Sequence, residues 1–453
     1  VQELRGHQGW IWNLLSTPIT QASEPMLIST SIDGTLHLWD LRDPTEKSSS
    51  FVASFSGHEK NRYGRGAAWS VSYSPQGDLL ATAGSDGTAK LWRRTDLENS
   101  QGLQPVSVLK HQNSPVRNCK AGENHDVFWV AFSPNGQTVA TAGADCTVRL
   151  WNSQDGNAKA VISHQADAFI NSVAFSPKGD YIASADSKGR LFLWTAAGEP
   201  AGDFIRTYEP PENSLPSAKK EQPLFAVKFS PDGKYVATAS EDGTVKLWKL
   251  KGKGTKRHLE PTPTAVLPDH RNGATSVDFS EDGLIATAGK DGGVRIWVLR
   301  DVLHSKTPKP LHELSAHYQR VTWVEFEKIG KREGDLLATA SKDGSVIIWD
   351  RSMEGLGLRR PGNQFKPRYQ FEGHQDGALS VTFLQEGQQI AVAQGDSQIK
   401  LWKLEDTPEL IQRACQWLGA LPLEGARDFS DSPRSWFGPR QSDPDVEAVC
   451  RKH

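Results

Sequence analysis

Between residues 225 and 248 the chain reads FAVKFSPDGKYVATASEDGTVKLW, and its hydrophobic and polar positions fall into three short blocks. Segments 225–230, 235–240 and 244–248 are rich in β-forming residues. Pro231-Asp232-Gly233 separates the first two, and Glu241-Asp242-Gly243 separates the second pair. Short β-forming runs divided by tight turn signals predict a three-stranded antiparallel meander. A meander of this size cannot bury its own faces and needs neighbours.

Its neighbours are further copies of the same block. Copies end at Trp39, Trp92, Trp151, Trp194, Trp248, Trp297, Trp349 and Trp402, which marks one supersecondary unit plus a connection of variable length. Six residues before the Trp stands Asp33, Asp86, Asp145, Asp242, Asp291, Asp343 or Asp396. Ten residues before it stands Ser29, Thr82, Thr141, Ser184, Thr238, Thr287 or Thr339. Upstream of most copies lies a histidine: His7, His58, His111, His164, His270, His317 and His374.

Gly-His, Ser-Pro-Asp-Gly, a Ser/Thr strand, Asp-Gly-Thr and a closing Trp-Asp together resemble the WD-repeat family. Trp39-Asp40 and Trp349-Asp350 keep the final pair. The resemblance implies an all-β protein, a β-propeller of four-stranded blades around a central channel. The family encodes a blade's outermost strand after the Trp, just ahead of the next Gly-His. Residues 1–5 then pair with the last copy, 378–404, and remove an open sheet edge. This count gives eight blades over residues 1–404. A seven-bladed ring starting near residue 51 is the alternative, with residues 1–40 as an orphan blade.

After Leu404 the pattern stops. Thr407-Pro408-Glu409 reads as a helix start. Leu410, Ile411, Ala414, Cys415, Trp417, Leu418 and Leu421 follow at helical spacing. Residues 405–453 are therefore expected to form an amphipathic helix, packed on the propeller flank or on a partner, and a poorly ordered tail. This tail loosely resembles those of bacterial repeat arrays linked to signalling NTPases, although no phosphate-binding Gly-rich loop is present. The chain begins within an expected strand, which is how a fragment of a longer polypeptide would read.

Composition narrows the function classes. The 52 basic and 54 acidic residues balance, which disfavours a general nucleic-acid or membrane-surface binder. No apolar run approaches the roughly 20 residues of a membrane helix. Cys119, Cys146, Cys415 and Cys450 lack metal-ligand spacing; so few cysteines in a long chain fit a reducing compartment and free thiols. The expectation is a cytoplasmic protein without cofactor or metal, a monomer or part of a longer chain.

Ser/Thr, His and Asp recurring together invite a hydrolase reading. Repetition argues against it, because a triad needs one strained nucleophile, an oxyanion site and a cleft. In the family these residues form a structural relay, in which the indole N–H meets Ser/Thr, then His, then Asp. By that resemblance the relay is complete in copy one (His7, Ser29, Asp33, Trp39), two (His58, Thr82, Asp86, Trp92) and three (His111, Thr141, Asp145, Trp151). It is also complete in copies six (His270, Thr287, Asp291, Trp297) and seven (His317, Thr339, Asp343, Trp349). Copy four has Lys188 at the Asp position, copy five lacks an upstream His, and copy eight has Val392 in place of Ser/Thr.

The family uses its inner-strand-entry face for partners. Six residues before the Ser-Pro turns come Trp12, Trp69, Phe128, Asn171 and Phe225; two residues further upstream come Trp10 and Phe169 in copies one and four. Lys290, Arg320 and Lys342 mark the same rim in copies six and seven. Trp10, Trp12, Trp69, Phe128, Phe169, Phe225, Lys290, Arg320 and Lys342 are thus the candidate binding residues. Trp12 and Trp69 either face solvent or pack between blades. The expected function is a non-enzymatic scaffold for a protein or peptide partner. The alternatives are the sensor portion of a larger signalling NTPase and, remotely, a hydrolase or lyase using the channel.

Overall fold

The computed structural model describes residues 2–404, apart from 17–25, 42–50, 60–65, 99–103, 112–118, 120–125, 165–167, 203, 208–221, 253–256, 269, 315–316, 328–335, 352–364, 373–375 and 385–387. The expected helix and tail at 405–453, and His374, lie outside the described residues. Residues 1–402 form one compact unit.

Within that unit the strands make eight antiparallel sheets. Blade one illustrates the plan: Ile11–Ser16 is the inner strand, followed by Met26–Ser31, Thr35–Asp40 and the outer strand Phe51–Ser56. Blade five splits its outer position between His258–Leu259 and Ala265–Leu267, both paired with Val245–Lys251. Leu250 and Lys251 pair with Leu259 and His258, so the strand runs past Trp248 to Lys251. Only two short helices interrupt the pattern among the described residues, Arg94–Glu98 and Leu299–His304.

Gln2–Arg5 pairs antiparallel with Gln398–Lys403, with Leu4 opposite Ile399, so the N-terminal strand is the outer strand of blade eight. The ring is eight-bladed, and residues 1–40 are not an orphan: the inner strands of blades one and eight are neighbours.

The core lies between blades. One cluster joins Met26, Ile28, Leu36 and Leu38 of blade one to Val71, Leu80 and Trp92 of blade two. Equivalent clusters continue around the ring, and another joins Leu4, Ile399 and Leu401 to Ile11, Leu27 and Trp39. The second strand of a blade is buried on both faces, as in Leu79–Gly84 and Leu336–Ser341. Its Ala-Thr-Ala sequence follows from that position: small side chains let neighbouring sheets approach, and the one hydroxyl finds a partner inside the blade.

Five residues before each Trp the backbone is left-handed, at Gly34, Gly87, Cys146, Gly189, Gly243, Gly292, Gly344 and Ser397. A residue with a Cβ is disfavoured in this conformation. Cys146 occupies the slot in blade three, and it is disulfide-bonded to Cys119, with Cα atoms 6.2 Å apart. The expectation of free thiols throughout is therefore overturned for this pair. Spacing could not reveal it, because the long connection brings residue 119 back over its own blade's turn.

Closure makes a testable demand. Leu4→Ala removes a buried side chain and should cost about 2–4 kcal/mol in denaturant unfolding. Deleting residues 1–6 should expose the edge of Gln398–Lys403 and produce concentration-dependent association in light scattering. A deletion variant that stays monodisperse with an unchanged melting temperature would contradict closure by this strand.

Candidate partner-binding rim

In blade two the indole N–H of Trp92 donates to Thr82 Oγ1 at 3.0 Å, and His58 Nε2 lies 3.0 Å from the same oxygen. His58 Nδ1 is 2.9 Å from Asp86. Blades three and six share this geometry, with His111 Nδ1 3.1 Å from Asp145 and His270 Nδ1 3.2 Å from Asp291. Their indole bonds run from Trp151 to Thr141 and from Trp297 to Thr287. In blades one and seven the histidine meets an intervening hydroxyl: His7 Nδ1 is 2.8 Å from Thr35 Oγ1, and His317 Nδ1 is 2.7 Å from Ser345 Oγ. Those hydroxyls donate to Asp33 and Asp343, while Trp39 and Trp349 donate to Ser29 and Thr339.

The departing blades differ from expectation in instructive ways. In blade four the acid is Asp186, two residues ahead of Lys188; it lies 3.5 Å from His164 and accepts from Arg190 Nε at 2.7 Å. In blade five Thr207 occupies the histidine position, since its N–H donates to Gly189 O as His58 N–H does to Gly34 O. Lys246 then bridges from Thr207 O at 2.7 Å to Asp242 at 2.6 Å. A cation four residues after the Asp recurs as Lys90, Arg149, Arg190, Lys246 and Arg295. In blade eight Val392 faces Val381 across the ladder, an apolar pair where other blades carry the hydroxyl.

Electrostatics follow from this geometry. Burial opposes ionisation of Asp145, but hydrogen bonds from His111 and Thr147 and the Arg149 charge outweigh it and hold its pKa at about 2. Burial pushes His58, His164 and His317 below the ordinary imidazole value. His37 takes the cation's place in blade one, stacked on His7 at 3.8 Å; burial first, then His7, lowers its pKa to about 4. These polar groups are paired inside blades, which suits support of the rim.

The rim itself is built by a bulge. In all eight inner strands the ladder register skips one residue: Trp12, Trp69, Phe128, Asn171, Phe225, Thr275, Thr322 and Leu379. A bulge re-aims its side chain out of the ladder. Just upstream, each entry residue accepts a backbone hydrogen bond from the turn before the Asp. Ile32 N–H reaches Trp10 O at 3.0 Å, Ser187 reaches Phe169 O at 2.9 Å and Lys342 reaches Arg320 O at 2.9 Å.

Polar bulge residues latch blades together. Asn171 Nδ2 donates to Leu224 O at 3.0 Å, Thr275 to Val321 O at 2.7 Å and Thr322 to Ala378 O at 2.8 Å. Aromatic ones touch one another instead. Trp12 meets Trp69 edge to face at 5.6 Å between centroids, Trp69 meets Phe128 at 6.5 Å, and Phe128 meets Phe169 at 6.4 Å. Phe225 lies under Lys290 at 5.1 Å and Arg320 at 5.9 Å; Trp10 lies under Lys342 at 4.7 Å. Lys290 also pairs with Glu241.

Exposure separates the two placements left open for the tryptophans. Trp10 is 42 %, Trp12 45 % and Phe169 41 % exposed, while Trp69 and Phe128 are half-buried between their aromatic neighbours. Trp69 Nε1 is buried without a hydrogen-bond partner among the described residues. Two features escaped the sequence reading. Tyr318, directly after His317, is 93 % exposed. Trp129 and Trp323 line a channel cavity of about 380 Å³ with Lys228 and Glu325. There Trp323 Nε1 donates to Glu325 at 3.0 Å. Among the described residues no three His, Cys, Asp or Glu are grouped to hold a metal, and no helix is long and apolar enough to cross a membrane.

A closed eight-bladed propeller with one face ringed by aromatics and cations defines the class. The chain belongs to the WD domain, G-beta repeat family, whose model matches eight segments: 1–40, 49–93, 104–152, 156–195, 212–249, 261–298, 308–350 and 365–403. It is 24% identical to a guanine nucleotide-binding protein subunit beta of Arabidopsis thaliana, over 76% of this chain and 82% of that protein. It is 25% identical to the target of rapamycin complex subunit LST8 of Bos taurus, over 46% of this chain and 68% of that one. Among solved structures, Sqt1 from Chaetomium thermophilum matches with a TM-score of 0.67 at 18% identity, covering 89% of this chain and 98% of that chain. The computationally designed Ika8 protein matches with a TM-score of 0.61 at 19% identity, covering 88% and 98%.

Two outcomes check the buried network. Asp186→Ala should lower stability by about 1–3 kcal/mol, because it leaves His164 and Arg190 without their buried acceptor. Lys188→Asp should change stability little, since Asp186 already fills that role; equal losses from the two variants would contradict this placement. His37 is held neutral in the fold but takes up a proton near pH 6.5 when unfolded. Its contribution is complete above that pH and falls as pH drops toward 4. His37→Phe should therefore flatten the decline in melting temperature between pH 6.5 and 4, and an unaltered slope would exclude His37 as a contributor.

Proposed function

We propose that this chain is a non-enzymatic interaction scaffold whose aromatic rim binds a protein or peptide partner. The observation that carries this reading is the run of partly exposed rings, Trp10, Trp12, Trp69, Phe128 and Phe169, held in place by bulges and turn hydrogen bonds. Large aromatics fixed before binding lose little entropy on contact and are the usual interface anchors. The partner segment carries an apolar anchor and an acidic flank, which Lys290, Arg320 and Lys342 steer. Relatives named as a guanine nucleotide-binding protein subunit beta and as a subunit of the target of rapamycin complex support a role within protein assemblies. The cytoplasmic assignment keeps less support, because Cys119 and Cys146 are paired and such bonds persist mainly in oxidising compartments.

Affinity capture with the intact chain, followed by quantitative binding of the captured partner, tests the rim. Trp12→Ala or Trp69→Ala should weaken binding by about 2 kcal/mol or more with the fold intact by circular dichroism. Lys342→Glu should slow association, and the effect should shrink at high salt. A partner footprint confined to the opposite rim would overturn the reading.

A further inference from the structure

The central channel is lined by residues that the rim does not use. We infer that it holds a separate binding site for a small amphipathic amine, whose apolar body lies in the cavity lined by Trp129 and Trp323 and whose ammonium group meets Glu325.

The eight inner strands offer equivalent positions to the channel, so each departure from the repeat stands out. At the level directly after the bulge, six blades carry Asn, Ser or Ala. The other two carry tryptophan, Trp129 in blade three and Trp323 in blade seven. These blades stand four apart in a closed ring of eight, so the two indoles belong to opposite walls. Both are half-buried, and both line the cavity of about 380 Å³. That volume lies in the range of small-molecule sites. Each ring is held before a ligand arrives. Trp129 packs against the apolar cluster shared by blades three and four, and Trp323 is held by its hydrogen bond to Glu325.

Two residues further along, on the same strand face, the channel is polarised. Blades one to four carry no charge at this level, and Leu15, Ala131 and Ala174 give the cavity an apolar wall. Blades five to eight carry Lys228, Asp278, Glu325 and Thr382. Lys228 Nζ lies 3.9 Å from Asp278, which is buried and also accepts from Phe326 N–H at 3.0 Å. Glu325 lines the cavity and accepts from two neutral donors, Trp323 Nε1 and, at 3.4 Å, Thr382 Oγ1.

These walls select the ligand. The π-face of an indole attracts a cation, most strongly where water is excluded, and disfavours an anion. The Glu325 carboxylate beside Trp323 adds attraction of the same sign, while Asp278 offsets the charge of Lys228. A hydrocarbon body gains by burial against the apolar wall. A ligand with a cationic end and an apolar body gains from both sides of the channel. A metal ion would need a cluster of ligating side chains, and among the described residues no three His, Cys, Asp or Glu are so grouped.

The test titrates phenethylammonium into the full chain, with 2-phenylethanol and 3-phenylpropionate as neutral and anionic controls and acetyl-lysine amide as a polar amine of the kind a protein side chain offers. Calorimetry should give phenethylammonium a Kd of about 1 mM or lower, at least about ten-fold tighter than any control. The Trp323 indole N–H signal should shift on addition, and the Trp39 signal should not. Glu325→Gln keeps an oxygen for Trp323 and Thr382, and should weaken binding at least about ten-fold at an unchanged melting temperature. Trp129→Ala should weaken it in the same direction. No binding of phenethylammonium, a control that binds as tightly, an unmoved Trp323 signal or indifference to Glu325→Gln would each overturn the inference. Equal binding of acetyl-lysine amide would assign the site to a protein side chain instead.

Discussion

No blade of this protein can bury its own two faces, so every blade depends on the next one. The second strands are buried on both sides, and each apolar cluster is shared across a blade boundary. A linear stack would leave two apolar faces in water. Closure by Gln2–Arg5 removes both, at the cost of tying the two ends of a long chain together. Burial of Leu4 against Ile399 and Leu401 offsets that cost, and the paired edge is lost as an aggregation site.

The rim inherits its geometry from that ring. In blades one to four, six and seven buried networks from tryptophan to aspartate fix the outer connection against the second strand, and in every blade the turn then grips the entry of the inner strand through one backbone hydrogen bond. With both ends of the entry held, the bulge residue can leave the ladder and lie on the face. Where it is Asn or Thr, it latches the next blade and is consumed. Where it is aromatic, it packs on its neighbour and keeps one side exposed. An aromatic pair contributes about 0.5–1.5 kcal/mol beyond area burial, and an exposed cation–π contact about 0.5–1 kcal/mol. These contacts are enough to hold the rings in place and too weak to satisfy them, which leaves their burial available to a partner.

Much of this was legible in the sequence. Spaced tryptophans and the Asp six residues earlier mark the strands and turns, and an N-terminal strand without its own blade marks closure. The aromatic positions were also legible, because they sit at a fixed distance from the Ser-Pro turns. Their exposure was not. It depends on a one-residue register skip that leaves no local signature in FAVKF or WSVSY. Asp186 escaped because the turn from Asp186 to Gly189 places the carboxylate two residues earlier than in other blades. Thr207 and Lys246 replace a histidine with residues from two blades, and such a substitution is visible only in space. The Cys119–Cys146 pair is likewise a product of folding, joining a long connection to a turn where seven other blades manage with Gly or Ser.

Tryptophan indole N–H spectra of selectively labelled protein test the central claim, that the rim is a preformed aromatic binding surface. The account predicts fast solvent exchange for Trp10 and Trp12 and slow exchange for Trp39, Trp92, Trp151, Trp194, Trp248, Trp297 and Trp349. Addition of a partner should shift the Trp10 and Trp12 signals and leave the buried set in place. A bound spectrum in which Trp10 and Trp12 stay unshifted and rapidly exchanging would contradict it.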